Sequence, residues 1–385
     1  MNKLKIKIGI MSLCSVALSY MALSPIIASI GADFTGVDET LVQMVFTLPS
    51  LLFIIGSPLS GIAMSYINKK TIALFSLSCY LVGGLFPFFF NSSIWLLLVG
   101  SLIIGVGTGL LMPLINGFIV QYFDKNDRAP LMGMNAIFTA LGALTFIFIG
   151  GQLSKFGWRY TYLAFALVIG IIAVAGICLP NGEPQRAEGS EKAGKASAFE
   201  MNLYILGLFV IGFIYFVVQN AFNTNSSAYV INVLGKDAAM ASLVTMINTI
   251  GGIIGGMSFS RIAYRAKSQI ETITLAVIAV GFFITFFIPS TVAFFAGSFL
   301  IGYGFAIFNA AGSYLLSYNT RPETNAFTVS VYLALINFGA AISPIVVNAC
   351  TGFMGEGIQN KFLFVGIVIT IIGVGSYLLN AKKDN

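Results

Sequence analysis

The chain has 385 residues, of which 57% are hydrophobic and 9% charged, with a formal net charge of +6, no histidine and a mean hydropathy of +0.92. Soluble domains carry charge on about a quarter of their residues, and disordered chains are poor in apolar ones, so both classes are excluded. What remains is an all-α membrane protein, in which each span takes about 20 apolar residues.

Apolar runs between polar breaks predict twelve spans. The first six are 8–30, 41–61, 71–90, 94–123, 131–153 and 160–180; the second six are 201–223, 238–260, 270–289, 292–318, 325–352 and 361–380. The first follows Lys3, Lys5 and Lys7, as a signal peptide would, but its apolar run is too long for one and it reads as an uncleaved helix. Between spans six and seven, residues 181–200 are polar, with Pro184, three glycines and mixed charges, and predict a flexible cytoplasmic linker. It separates an N-terminal six-helix bundle, 1–180, from a C-terminal one, 201–385. With the N-terminus inside, sixteen of the twenty Lys and Arg fall in inner segments, which predicts that both termini are cytoplasmic.

The basic residues are scattered in small groups that serve orientation, not nucleic-acid binding. Cys14, Cys79, Cys178 and Cys350 all lie in apolar stretches, and their spacing fits neither a metal site nor a disulfide framework. No metal or cofactor is expected. No nucleophile–base or acid–base pair lies inside a span, so the chain does not read as an enzyme.

The halves look related. Gly61-Ile-Ala-Met-Ser65-Tyr-Ile67-Asn-Lys-Lys70 after span two matches Gly256-Met-Ser-Phe-Ser260-Arg-Ile262-Ala-Tyr-Arg265 after span eight in Gly, Ser, Ile and a terminal base. In spans four and ten, Ile104-Gly105-Val-Gly107 matches Ile301-Gly302-Tyr-Gly304. Two pseudo-symmetric six-helix bundles predict a solute site between them near mid-membrane.

This pattern resembles the major facilitator superfamily along the whole chain. The loop after span two resembles that family's Gly-x-x-x-Asp-Arg-x-Gly-Arg-Arg: Gly61, Lys69 and Lys70 fit, whereas Ser65, Tyr66 and Asn68 depart from it. Gly105, Gly107, Gly109 and Pro113 look like the family's fourth helix, and Gly157-Trp158-Arg159 like its fifth-to-sixth connection. Proton-coupled drug antiporters of the family carry an Arg where this chain has Ser101, and Gly-Pro where it has Phe146 and Ile147 before Gly150-Gly151. These departures weigh against a drug/proton antiporter and leave it open.

Asp and Glu are confined to loops and helix ends, with Asp33, Glu200 and Glu271 at helix ends next to spans. An intramembrane charge costs about 2.5–3.5 kcal/mol on insertion scales, and the span interiors avoid it. Amides take its place: Gln43, Asn116, Asn135, Gln219, Asn220, Asn223, Asn248, Asn309, Asn337 and Asn348. Spans 3, 6, 9 and 12, the outer helices in the resemblance, have none in their interiors. Each amide must face protein, water or solute, so the set either stitches helices together or lines a polar cavity.

The expected cavity lining is Tyr20, Asn116, Asn135, Tyr215, Gln219, Asn220, Asn223, Asn248, Asn309, Ser313, Tyr332 and Asn337. Loop charges Lys69, Lys70, Asp127, Arg128, Arg321 and Glu323 are expected at an inner gate. The sequence thus reads as a secondary transporter, a monomer in the lipid bilayer of the cell membrane. It would move a small neutral or weakly charged organic solute by alternating access. Drug or metabolite efflux and lipid flipping are the alternatives.

Overall fold

The computed structural model describes residues 3–181, 202–355 and 357–384; of the predicted linker, all but Asn181 lies outside them, Glu200 included. Among the described residues there is no β-strand, and eleven helical stretches are long and apolar enough to cross a membrane. One of these, Ala238–Phe287, holds two helices joined by a 3-10 turn at Lys267–Gln269, where Lys267 takes φ 49°. Counted separately, those two bring the number to the twelve predicted.

We label the helices α1 (Lys3–Asp33), α2 (Glu39–Tyr66), α3 (Lys69–Phe89), α4 (Ile94–Tyr122), α5 (Lys125–Leu153) and α6 (Trp158–Cys178). The second set is α7 (Leu203–Val233), α8 (Ala238–Ala266), α9 (Ile270–Phe287), α10 (Thr291–Asn319), α11 (Pro322–Thr351) and α12 (Ile358–Asp384). Several starts are set by side-chain caps on the free amides of the first turn. Asp38 accepts from the Thr40 amide at 2.8 Å, Asn68 from Lys70 at 2.9 Å, Asn202 from Ile205 at 2.8 Å and Ser290 from Ala293 at 3.2 Å.

Helices run past their apolar stretches. α5 begins at Lys125, not 131, and α7 continues to Val233, not 223. A helix satisfies its own backbone whether or not its side chains are apolar, so polarity alone does not end it. α1 and α7 are interrupted: α1 by a 3-10 segment at Ser19–Ile26 containing Pro25, α7 by a break at Asn220 and a π-turn at Tyr229–Val233.

The chain divides into two compact units, Met1–Ser190 with Asp237–Ser242, and Glu191–Lys236 with Leu243–Asn385. Each unit repeats the same internal contacts. In the first, Ser101 Oγ on α4 donates to the Val45 carbonyl on α2 at 2.7 Å; in the second, Ser298 Oγ on α10 donates to the Val244 carbonyl on α8 at 2.9 Å. A methyl on Gly83 of α3 would lie 2.7 Å from the Gly100 carbonyl of α4. Its counterpart on Gly281 of α9 would lie 2.9 Å from the Gly297 carbonyl of α10. Small residues at these crossings let helices approach to backbone contact without a hydrophobic drive, which lipid does not supply. The internal repeat read from short sequence strings therefore has a counterpart in packing.

The Ser101 bond also explains a proline. Pro49 has no N–H to give the carbonyl four residues back, which is that of Val45, and the Ser101 hydroxyl supplies the missing donor.

Candidate functional site

Polar groups inside the second unit fall into two sets. The first lies at the break in α7. Asn220 Nδ2 donates to the Ala340 carbonyl of α11 at 2.9 Å, and Asn223 Nδ2 donates to Asn220 Oδ1 at 3.1 Å. Pro344 is the residue that would otherwise serve Ala340, so Asn220 fills a proline gap across two helices just as Ser101 does in the first unit. Gln219, 3% exposed, has no hydrogen bond to a described residue. Beyond the predicted end of the span, Thr224, Asn225, Ser226 and Ser227 are all buried, and Asn225 Nδ2 bonds back to the Ala221 carbonyl at 2.9 Å.

The second set is drier. Glu271, in the first turn of α9, has no solvent exposure, and neither carboxyl oxygen has a hydrogen-bond partner. Tyr332 of α11 and Tyr215 of α7 lie in the same unit. Both tyrosines are fully buried with unbonded hydroxyls. Two glycines make room for Tyr332. A methyl on Gly212 of α7 would lie 2.6 Å from its ring, and one on Gly312 of α10 would overlap its hydroxyl. Glu271 thus sits at a helix end as expected, but packed inside the bundle.

The remaining predicted residues separate by partner. Asn248 Nδ2 donates to the Ser298 carbonyl at 3.0 Å, which stitches α8 to α10. Asn337 donates to the Leu333 carbonyl of its own helix at 2.8 Å, and Asn135 accepts from Thr139 at 3.1 Å, one turn away. The Tyr20 ring lies 5.8 Å from Phe46. Asn116 on α4 and Asn309 on α10 are exposed, and Ser313 is half-buried one turn after Asn309. These last three have no hydrogen bond to a described residue, so Asn116 does not serve the carbonyl that Pro113 frees.

A model of the Major Facilitator Superfamily matches the sequence in two overlapping stretches, residues 9–344 and 208–384. The chain belongs to the major facilitator superfamily. Solved structures with the same fold include a point mutant of the nucleoside transporter NupG, at TM-score 0.84 and 15% identity over 98% of this chain and 99% of that one. A bacterial homolog of the human lysosomal transporter Spinster, inward-facing and unoccupied, gives 0.77 and 15% over 99% and 98%. A D-xylose–proton symporter gives 0.75 and 15% over 98% of both chains. No curated protein matches the sequence significantly. This facilitator is therefore a multi-pass membrane transporter.

Several of its loop charges have partners. Lys69 is buried at the end of α4, where Nζ donates to Gln121 Oε1 at 2.6 Å and to the Gly117 carbonyl at 3.2 Å, a favourable place for a cation. Arg128 donates to the Phe123 and Val120 carbonyls at 3.0 and 2.8 Å. Lys3 reaches Asp124 at 3.0 Å and Asp127 at 3.7 Å, and its hydrogen bond and charge hold the exposed Asp124 carboxyl below the usual range. Lys70 is half-buried and Arg321 exposed, and the Glu323 side chain lies outside the described residues.

Sequence reasoning missed Asn380, whose amide bonds Tyr204 and Ser376 in the interior of the second unit. It also stopped α7 short of its buried Thr224–Ser227 run, because five successive polar residues read as a loop. A helical run of polar residues flanked by apolar ones on both sides was the available signal.

Proposed function

We propose that this facilitator moves a small, neutral or weakly charged organic solute across the cell membrane by alternating access of its two bundles. Its solute site is lined by carboxamides, phenols and hydroxyls, and both termini are cytoplasmic. The observation that carries this reading is the pair Asn116 and Asn309: amides within membrane-spanning helices, exposed and unbonded. Leaving an amide against hydrocarbon costs about 2–7 kcal/mol, so such groups belong on a wet surface. They lie on α4 and α10, the helices that the internal repeat makes equivalent. The named cargoes of two proteins with this fold, nucleosides and D-xylose, are polar organic molecules. The charge bias of the loops supports the orientation.

The test is a thermal-shift screen of the purified protein against nucleosides, sugars, short peptides and amphipathic cations, followed by uptake of the best hit into proteoliposomes. A neutral polar hit is expected, since ligand binding raises apparent stability by mass action. Asn116→Ala and Asn309→Ala should each raise KM about tenfold, the worth of roughly one hydrogen bond, without moving the Tm of the unliganded protein. A hit confined to amphipathic cations, or uptake unchanged in both variants, overturns the reading.

A further inference from the structure

We propose that the surface of the second unit holds an anionic phospholipid, with its phosphate on Arg261 and Arg265 and one acyl chain in the groove between α9 and α12. This rests on the chain's place in a membrane and not on which solute it moves.

The headgroup end is a cavity of about 240 Å³ lined by Arg261, Ile262, Arg265, Ala266 and Ile273. Arg261 and Arg265 are four residues apart, so they share one face of the last turns of α8. The 3-10 turn at Lys267–Gln269 follows, with Lys267 at φ 49°, and Ile273 in the first turn of α9 completes the same cavity. Both arginines are exposed, and neither has an ion pair or hydrogen bond to a described residue. Two guanidinium groups with no carboxylate among the described residues that line the cavity are complementary to a phosphate, whose oxygens a guanidinium meets in pairs. A base that serves orientation alone needs only water at the membrane surface, whereas these two share their cavity with three apolar side chains.

A second cavity begins where the first ends. It has about 380 Å³, and its walls include Thr272, Ala276, Val280 and Phe283 of α9 with Gly373 and Tyr377 of α12. Ile273 of the first cavity and Val280 of the second lie two turns apart on one face of α9. Gly373 keeps the groove open, for a methyl there would meet only Leu275 Cβ, at 3.5 Å. The hydroxyls in the walls are spent on the protein: Thr272 donates to Ser376 at 3.1 Å and Thr370 to the Gly366 carbonyl at 2.8 Å. What remains is an apolar trough along two membrane-spanning helices, where a polar solute finds no partner. Ser376, bonded to Thr272, sets the neighbouring Tyr377 at the level of the first cavity, so the phenol of the groove stands at its headgroup end, as an amphipathic ring does at a membrane interface. From Thr272 to Phe283 the groove follows α9 for about 16 Å, roughly half of a hydrocarbon core about 30 Å thick. A basic pocket that opens into an apolar trough one leaflet long has the outline of a single lipid molecule.

Native mass spectrometry of the full chain, released from liposomes of equal phosphatidylglycerol and phosphatidylcholine with the same acyl chains, tests this. The wild-type protein should retain phosphatidylglycerol about tenfold over phosphatidylcholine, the worth of two arginines near a membrane surface. In Arg261→Ala/Arg265→Ala the ratio should fall to about 1. Ala276→Phe fills the groove from an exposed position and should lower the retained phosphatidylglycerol severalfold with both arginines in place. Thermal unfolding of delipidated protein separates a lipid from a free anion: phosphatidylglycerol should raise the Tm, and glycerol phosphate at the same concentration should not. A wild-type ratio near 1, a ratio unchanged in the double variant, retention unchanged in Ala276→Phe, or stabilisation by glycerol phosphate equal to that by the lipid each overturns the proposal.

Discussion

Glu271 and Ala73 stand at equivalent places in two bundles that otherwise follow one plan. The register is set by the glycines: a methyl on Gly107 of α4 would lie 2.8 Å from the Ser76 carbonyl of α3, and one on Gly304 of α10 would lie 3.4 Å from the Thr274 carbonyl of α9. Three residues before each of those carbonyls stand Ala73 and Glu271, both without solvent exposure. In the first unit the position is filled by a small apolar side chain that asks nothing of its neighbours. In the second it holds an acid that its neighbours do not satisfy. A shared packing plan therefore tolerates either, and what distinguishes the bundles is chemistry placed on a common frame. An unsatisfied acid kept inside a well-packed bundle costs stability, and natural proteins accept such costs where function needs them.

Substituting those two residues probes the difference most strongly. Ala73→Glu should destabilise the protein by several kcal/mol, because it places an acid at a position without solvent exposure. Glu271→Leu should raise stability by about 1–3 kcal/mol, the desolvation cost of an unsatisfied polar group. Denaturation in detergent measures both, and a loss of stability in Glu271→Leu would mean that the acid is a structural element after all.

The helix crossings give the next effect. A methyl on Gly302 would collide with the Asn248 backbone carbonyl, whereas one on Gly105 meets the Leu52 side chain at 2.9 Å and the Pro49 Cα at 3.0 Å. Gly302→Ala should cost about 3 kcal/mol and Gly105→Ala about 1 kcal/mol, since the first drives a methyl into backbone whereas the second makes a milder overlap shared between a side chain and one backbone atom. Equal costs, read from thermal unfolding, would show that the second unit relaxes as easily as the first.

The smallest effect belongs to the proline gap. Asn220→Ala leaves the Ala340 carbonyl without its donor and should cost about 1 kcal/mol. In a Pro344→Ala background the helix supplies its own amide, so the same change should cost measurably less. A double-mutant cycle with no coupling would mean that the amide does not serve the gap.

Much of the frame was legible in the sequence because its causes are local. Twenty-residue apolar runs mark spans. Where local cause and outcome part, legibility ends. The polar run at Asn223–Ser227 looked like the close of a span, yet helical hydrogen bonding carries α7 through it to Val233. The site residues were legible as types but not by partner. Asn220 and Asn116 looked alike as intramembrane amides, and only the placement of Pro344 on another helix shows that the first is engaged while the second stays free. Glu271 read as a helix-end acid, since nothing in its own neighbourhood of sequence reveals that it is fully buried in the bundle.

The exchange of donors between α7 and α11 carries a consequence for how this chain can drift over generations. A lineage that replaces Pro344 regains an internal amide donor and releases position 220 from its duty; one that loses Asn220 first strands an oxygen in the interior. The order of changes is thus biased, and descendants should discard the imino acid before the carboxamide. The same asymmetry should hold for Pro49 and Ser101 in the other half.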